Sequence, residues 1–255
     1  MYAEERQQAI ADLLTQRGRL SVTELAQRFT VTTETVRRDL STLERAGIVR
    51  RVHGGAIPAA SLSVLEVTVN ERDLAQSEQK DRVAEAAVAY LPTNGGSVLL
   101  DAGTTTARLA GLLPLDVAFT VFTNAVPIAG RLAGRGNVDL HVLPGRVRRT
   151  TQAAVGEETV AAISRLRTDV AFVGTNGLSV AHGLSTPDAS EAAAKNAMIR
   201  SAQRVVVLAD SSKIGHESTV RFGDLDQVDV LITDDGLRDD DRATLEAHDI
   251  EVVVA

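Results

Sequence analysis

The 255-residue chain has no cysteine, no tryptophan, only two tyrosines and five phenylalanines, and no apolar run that approaches the ~18 residues a membrane span requires. Without cysteine there is no disulfide, no cysteine-bound zinc and no thiol nucleophile. The five histidines (53, 141, 182, 216 and 248) are far apart in sequence, so no i, i+4 pair could grip a metal from one helix face, and no cofactor is expected. The opening stretch MYAEERQQAI is acidic and polar, unlike a signal peptide, which leads to the expectation of a cytoplasmic protein with no membrane partner. Apolar residues still make up 44% of the chain, so the core must be built from Ala, Val and Leu. The length suits a small domain followed by a larger one.

Lysine is scarce as well: of 27 basic residues only Lys80, Lys195 and Lys213 are lysine, so the positions that keep it invite a functional reading. The net charge of −7 argues against wrapping nucleic acid over the whole surface, but it is unevenly spread. Residues 1–60 hold nine Arg against seven Asp and Glu, a balance of +2, while the remainder holds 18 basic and 27 acidic residues, a balance of −9. Halves of opposite sign suggest different partners.

In the first sixty residues Ile10, Leu13 and Leu14 share a helical face. Ser21 can then cap a short helix carrying Val22, Leu25, Ala26 and Phe29. A third helix follows, with Thr32 or Thr33 as its cap, Val36, Leu40 and Leu43 as its buried stripe, and Gly47 at its end. Two such helices joined by a tight turn read as a helix-turn-helix. On a helical wheel Arg38, Ser41 and Arg45 lie opposite the apolar stripe, with Thr35 and Arg37 on its flanks. Hydroxyls and arginines near a helix N-terminus suit the major groove, where arginine bonds guanine edges or clamps phosphates. Two β-prone runs around His53-Gly54-Gly55 then read as a wing, with Arg50 and Arg51 beside the DNA backbone. The candidate DNA contacts are Thr33, Thr35, Arg37, Arg38, Ser41, Arg50, Arg51 and His53.

The stretch LSVTELAQRFTVTTETVRRDLSTLERAGIVRRVHGGA resembles the winged helix-turn-helix signature of DeoR-type bacterial transcriptional regulators. Their Arg-Arg-Asp-Leu is matched by Arg37 to Leu40 and their closing His-Gly-Gly-Ala by His53 to Ala56. Thr32 stands where a serine is usual, which keeps the hydroxyl cap.

Beyond a linker over residues 58–76, with one extended segment at VLEVTV, apolar strand-like runs recur at 97–100, 117–122, 138–143, 169–173, 204–208, 228–232 and 250–254. Helical patterns lie between them, clearest at 78–91, 105–113, 125–134, 188–202 and 239–247. This alternation predicts an α/β fold with a mostly parallel sheet. Ligands of such sheets sit beyond the strand carboxyl ends. The unusual residues gather there: Asp101 with Gly103, Thr104, Thr105 and Thr106; Thr123-Asn124; Pro144-Gly145; Gly174 with Asn176 and Gly177; and Asp210 with Lys213. Gly103 to Thr106 reads either as a plain helix cap or as a phosphate cradle of backbone N–H groups and hydroxyls. It is neither a Walker loop nor a dinucleotide turn. Glu191 and Lys195 form an i, i+4 pair that joins the candidate set. Together these groups predict a polar pocket for a phosphorylated polyol.

Several further stretches, among them LLDAGTTT, FTNAVPIA, DVAFVGTNGLS and LADSSKIG, are similar in order to the DeoR-family sensor domain, and Lys80 is matched too. The sensor resemblance covers roughly residues 79–235, and the expected domains are 1–57 (DNA-binding), 58–76 (linker) and 77–255 (sensor). It also implies a sugar-phosphate effector held by Asp101, Gly103 to Thr106, Asn124, Gly174, Gly177 and Lys213. Pro144 departs from a usual glycine and Ala125 from a usual serine. The sensor resembles ribose-5-phosphate isomerase-like folds too, which keeps an isomerase-like enzyme with a fused DNA-binding domain as the alternative. The acid-rich stretch of those isomerases corresponds here to VGTNGLS, which holds no carboxylate, so the reading is not an enzyme. The expectation is a repressor of a sugar-utilisation operon, acting as a homodimer or homotetramer on double-stranded operator DNA and released by a phosphorylated sugar. The alanine- and arginine-rich composition looks like that of a high-GC bacterium, whose relatives often sit beside fructose-utilisation genes. That points to the fructose-operon repressor type, with fructose 1-phosphate or another ketose phosphate as effector.

Overall fold

The computed structural model describes residues 3–17, 20–46, 48–52, 54–58 and 69–255. The chain opens with helix α1 (Ala3–Arg17), strand β1 (Leu20–Ser21), and helices α2 (Val22–Phe29) and α3 (Thr33–Arg45). Ser21 caps α2 in a reciprocal box: its hydroxyl accepts the Glu24 N–H at 3.1 Å, and Glu24 accepts the Ser21 N–H at 2.7 Å. Thr30, left-handed at φ 53°, ends α2 and makes the turn. Thr32, rather than Thr33, caps α3. Val36, Leu40 and Leu43 pack with Ile10, Leu14 and Leu25 in one core. Asp39 is also buried, accepting from Arg6 Nε at 2.6 Å and Gln7 Nε2 at 3.0 Å, so it ties α1 to α3.

Strands β2 (Val49–Val52) and β3 (Gly55–Pro58) form the wing, with β1 paired on the far side of β3. Glycine at 55 follows from this crossing, because a Cβ there would lie 2.2 Å from the Leu20 carbonyl oxygen. Gly47 and His53 lie outside the described residues.

Helix α4 (Val69–Leu74) lies within the stretch expected to be a linker. Residues 64–68 of the expected extended segment are outside the described residues, and Val69 begins a helix instead of ending a strand. Six residues make less than two turns, too few to display a helical period. Next come α5 (Ser77–Ala87), β4 (Gly96–Leu100), α6 (Thr104–Gly111), β5 (Phe119–Thr123), α7 (Val126–Leu132), β6 (Val138–Val142), β7 (Arg146–Val147), β8 (Ala154–Val155), α8 (Glu157–Ile163) and β9 (Thr168–Gly174). The chain ends with β10 (Gly177–Ser179), β11 (Gly183–Thr186), α9 (Ala189–Ser201), β12 (Ala202–Leu208), β13 (Val220–Gly223), β14 (Val230–Thr233), α10 (Asp239–Glu246) and β15 (Glu251–Val254).

All seven predicted runs enter one parallel sheet, ordered β15-β14-β12-β9-β4-β5-β6. Alternate residues serve two cores. Val98, Leu100, Val170 and Phe172 pack under α5, α6 and α7, and Leu99, Ala171 and Val173 pack under α8, α9 and α10. Burial on both faces explains why the central strands β4, β9, β12 and β14 read as apolar runs, whereas edge strand β6 is largely exposed and mixes Asp139 and His141 into its pattern. From β4 the chain winds outward to β6, then returns to β9 on the other side of β4 and winds outward again to β15. The order therefore reverses between β4 and β9, and a crevice is expected above that point. The small antiparallel pieces, β7 with β8 and β10-β11-β13, were not predicted, nor was α8. Among the described residues no helix is long and apolar enough to cross a membrane. No group of three or more His, Cys, Asp or Glu side chains there could hold a metal ion.

Candidate functional site

At the reversal point the carboxyl ends of β4, β9 and β12 surround a cavity of about 70 Å³. Its wall brings together Gly103, Thr104, Thr105, Thr106, Gly174, Asp210 and Lys213, all expected from the sequence, with Arg72, Gln76, Lys80 and Thr175. Gly103 is the cap residue of α6 and no side chain caps that helix, so the threonines occupy its first turn. The first-turn N–H groups therefore keep their positive end for an anion. The Thr106 hydroxyl is turned inward, donating to the Asp101 and Gly103 carbonyls at 2.7 and 2.9 Å, which spends its proton on the turn.

Lys213 sits on the 3-10 turn Ser211–Lys213, whose Ser211 N–H and hydroxyl donate to buried Asp234 at 2.7 and 2.8 Å. Its ammonium is 4.0 Å from Asp210 and about a third exposed, so it has capacity for a ligand. Lys80 is buried and donates to the carbonyls of Arg72 and Ala75. Burial holds its pKa down to about 8; Asp210 opposes that shift, while Lys213, Arg108 and Arg72 add to it.

Asp101 and Lys195 pair behind the cavity, both about 95% buried or more. The same carboxylate oxygen accepts the Gly174 N–H at 3.0 Å, and Lys195 donates to the Gly174 carbonyl at 2.9 Å. This triangle stitches β4, β9 and α9 together and places Lys195 as the counter-ion of Asp101. Glu191, expected as an effector contact, is bonded instead to Arg148 and to the Thr151 hydroxyl. A buried carboxylate needs such donors, and these two lie on a loop whose sequence gave no signal. Thr123 donates to the Leu100 carbonyl at 2.8 Å and accepts from the Ala125 N–H at 3.1 Å. Asn124 donates to the Ala154 carbonyl at 2.9 Å, and its buried Oδ1 has no partner among the described residues. Thr123, Asn124, Gly145, Gly177 and Glu191 are not part of the cavity wall. Gly145, at φ 138°, is required by packing, since a Cβ there would meet the Thr159 hydroxyl at 2.1 Å. Asn176 lines an adjoining groove that shares Gln76 and Lys213 with the cavity, and its Oδ1 accepts from Thr186 at 3.1 Å.

The second candidate surface is α3. Arg37 and Arg38 are 54% and 82% exposed, each within 4 Å of Glu34 at 3.7 and 3.8 Å. Such exposed pairs are weak and yield readily to a phosphate. Thr33 is exposed and Thr35 half-buried, its hydroxyl 2.9 Å from that of Thr32. Ser41 donates to the Arg37 carbonyl at 2.8 Å. Arg50 and Arg51 lie on wing strand β2.

The chain matches the DeoR-like helix-turn-helix domain over residues 6–61 and the DeoR C terminal sensor domain over residues 75–235. It is 36% identical over 253 residues to the HTH-type transcriptional regulator GlpR of Haloferax volcanii, covering 99% of this chain and 98% of that one. It is 30% identical over 231 residues to the Glycerol-3-phosphate regulon repressor of Escherichia coli strain K12, covering 90% of each. A ribose 5 phosphate isomerase A from Neisseria gonorrhoeae aligns over 55% of each chain at 17% identity with a TM-score of 0.38.

Proposed function

We propose, from the premise that this chain belongs to the DeoR family of transcriptional regulators, that it represses a sugar-utilisation operon and is released from operator DNA by a phosphorylated sugar bound at the β4/β9 cavity. The observation that carries this reading is the cavity itself, where an uncapped helix N-terminus meets Lys80 and Lys213 at a sheet reversal point. The phosphate sits against the first turn of α6 and the two lysines, and the sugar hydroxyls reach toward Asn176 and Gln76. Residues 1–57 bind DNA through Thr33, Thr35, Arg37, Arg38 and Ser41 of α3 and through the wing arginines Arg50 and Arg51. The chain works as a homodimer or homotetramer, which sets two recognition helices about 34 Å apart along the duplex. Ketose phosphates such as fructose 1-phosphate are the first effectors to test, with glycerol 3-phosphate beside them.

No turnover is proposed. An aldose–ketose conversion needs a base over the C–H beside the carbonyl. Asp101 is committed to Lys195 and Glu191 to Arg148, which leaves Asp210 as the carboxylate on the cavity wall. The test is a melting-temperature panel of sugar phosphates on the full chain. One of them should raise the melting temperature, and Lys213→Ala should abolish the shift. A panel without any shift, or a shift that survives Lys213→Ala, removes the effector reading.

The pH dependence of that binding has a definite sign. A phosphate monoester gains its second charge above pH ~6. A bound dianion favours the Lys80 ammonium, so binding draws in a proton above pH 8, and affinity falls as pH rises through the lysine's pKa of about 8. Titration calorimetry should give a bell with limbs near pH ~6 and ~8. Constant affinity from pH ~7 to ~9.5 would remove Lys80 from the site.

A further inference from the structure

One part of the cavity wall comes from neither the sheet nor the helices that follow it. Arg72 lies on α4, and Ala75 and Gln76 follow that helix directly. The chain ahead of α4, residues 59–68, leads back to wing strand β3. Helix α4 is held to the cradle by charged bonds. Lys80 donates to its last carbonyls, where the negative end of a helix favours a cation. Arg108, one turn along α6 from Thr104, pairs with Asp73 and donates to the Asp73 carbonyl at 3.1 Å. The same guanidinium reaches Asp81 at 2.7 Å and the Ser77 hydroxyl at 2.9 Å. Amid this network the half-buried Arg72 guanidinium has no hydrogen-bond or ion-pair partner among the described residues, although it lines the cavity.

We propose that Arg72 binds the phosphate of the effector, so that helix α4 is both a wall of the site and the element through which occupancy reaches the DNA-binding domain. This rests on the reading of the cavity as the effector site. The charge balance supports it: Arg72, Lys80 and Lys213 face one carboxylate, Asp210, and a phosphate dianion offsets the remainder. A guanidinium offers a planar fork to two phosphate oxygens, which a lysine cannot do. Lys80 is shared between the α4 carbonyls and the cavity, so an anion competes with those carbonyls for its protons. Occupancy thus exchanges bonds between Lys80 of α5 and the α4 segment for bonds from Lys80 and Arg72 to the ligand. A differential contact of this kind is what a ligand needs to shift a conformational equilibrium.

The test uses the full chain with fructose 1-phosphate, glycerol 3-phosphate, glucose 6-phosphate and inorganic phosphate as probes in titration calorimetry. With the tightest of them, Arg72→Gln should weaken binding by about tenfold or more, and Arg72→Lys should recover part of the loss. The ligand-free melting temperature should not change, because the side chain holds nothing in place. Hydrogen exchange of the amides at 73–76 should also differ between free and bound protein. If Arg72→Gln binds as the wild type does while Lys213→Ala does not, the effector site stands and this proposal is overturned. If exchange at 73–76 is the same with and without ligand, the role given to the helix is overturned. If none of the probes binds the wild-type chain, the effector reading falls and this inference falls with it.

Discussion

Replacing Lys195 by methionine should destabilise the sensor domain by about 3–5 kcal/mol, because it leaves the Asp101 carboxylate buried with its counter-ion gone. For a domain of this size that corresponds to a fall of roughly 10 °C in melting temperature. The remaining donor to that oxygen, the Gly174 N–H at 3.0 Å, does not neutralise a charge. The double variant Asp101→Asn/Lys195→Met should regain a large part of the loss, since it removes both charges and keeps an acceptor for Gly174. Thermal denaturation of the two variants separates a structural pair from a ligand contact. If Lys195→Met melts with the wild type and loses only its response to sugar phosphate, Lys195 is an effector ligand and the assignment as counter-ion is wrong.

The second large effect is expected on the DNA side. Arg37→Ala/Arg38→Ala should lower operator affinity by about 100-fold or more, from one to three kcal/mol for each specific arginine contact. The fold should survive, because both side chains are exposed and pair only weakly with Glu34. Asp39, the next residue, would behave differently. It is buried between α1 and α3, so its loss should appear first as unfolding of the N-terminal domain. The hallmark Arg-Arg-Asp-Leu thus combines two outward-facing arginines with two buried supports. A gel shift with the gene's upstream duplex measures the first effect. Unchanged affinity in the double variant would remove α3 as the recognition helix.

The sheet was legible because its central strands are buried on both faces, which leaves runs such as 169–173 and 204–208 largely apolar. The short antiparallel strands were not legible. β10, β11 and β13 have only three or four residues each and mix glycine, serine and threonine into the pattern. The strand-end glycines, threonines and Lys213 share one cavity wall because all of them lie at or just beyond the carboxyl ends of β4, β9 and β12, which meet at the reversal of the strand order. What sequence could not convey is which polar groups satisfy one another. Glu191 and Lys195, four residues apart on α9, read as a pair, yet each finds its partner elsewhere, on Arg148 and on Asp101. Arg72 escaped for another reason. It stands on a helix too short to show a period, in a stretch whose composition reads as a linker. The isolated lysine at 80 stood out because the chain uses arginine almost everywhere else, and its buried ammonium lies on the cavity wall.

The most direct test of the central claim is an operator-release titration with the wild-type chain: labelled upstream duplex is held by the protein and sugar phosphates are added in turn at fixed salt. One phosphorylated sugar should release the duplex in a saturable way, its unphosphorylated form should not, and Lys213→Ala protein should hold the duplex throughout. Binding of the duplex that no sugar phosphate alters, or release that is equally strong with the unphosphorylated sugar, would contradict the account.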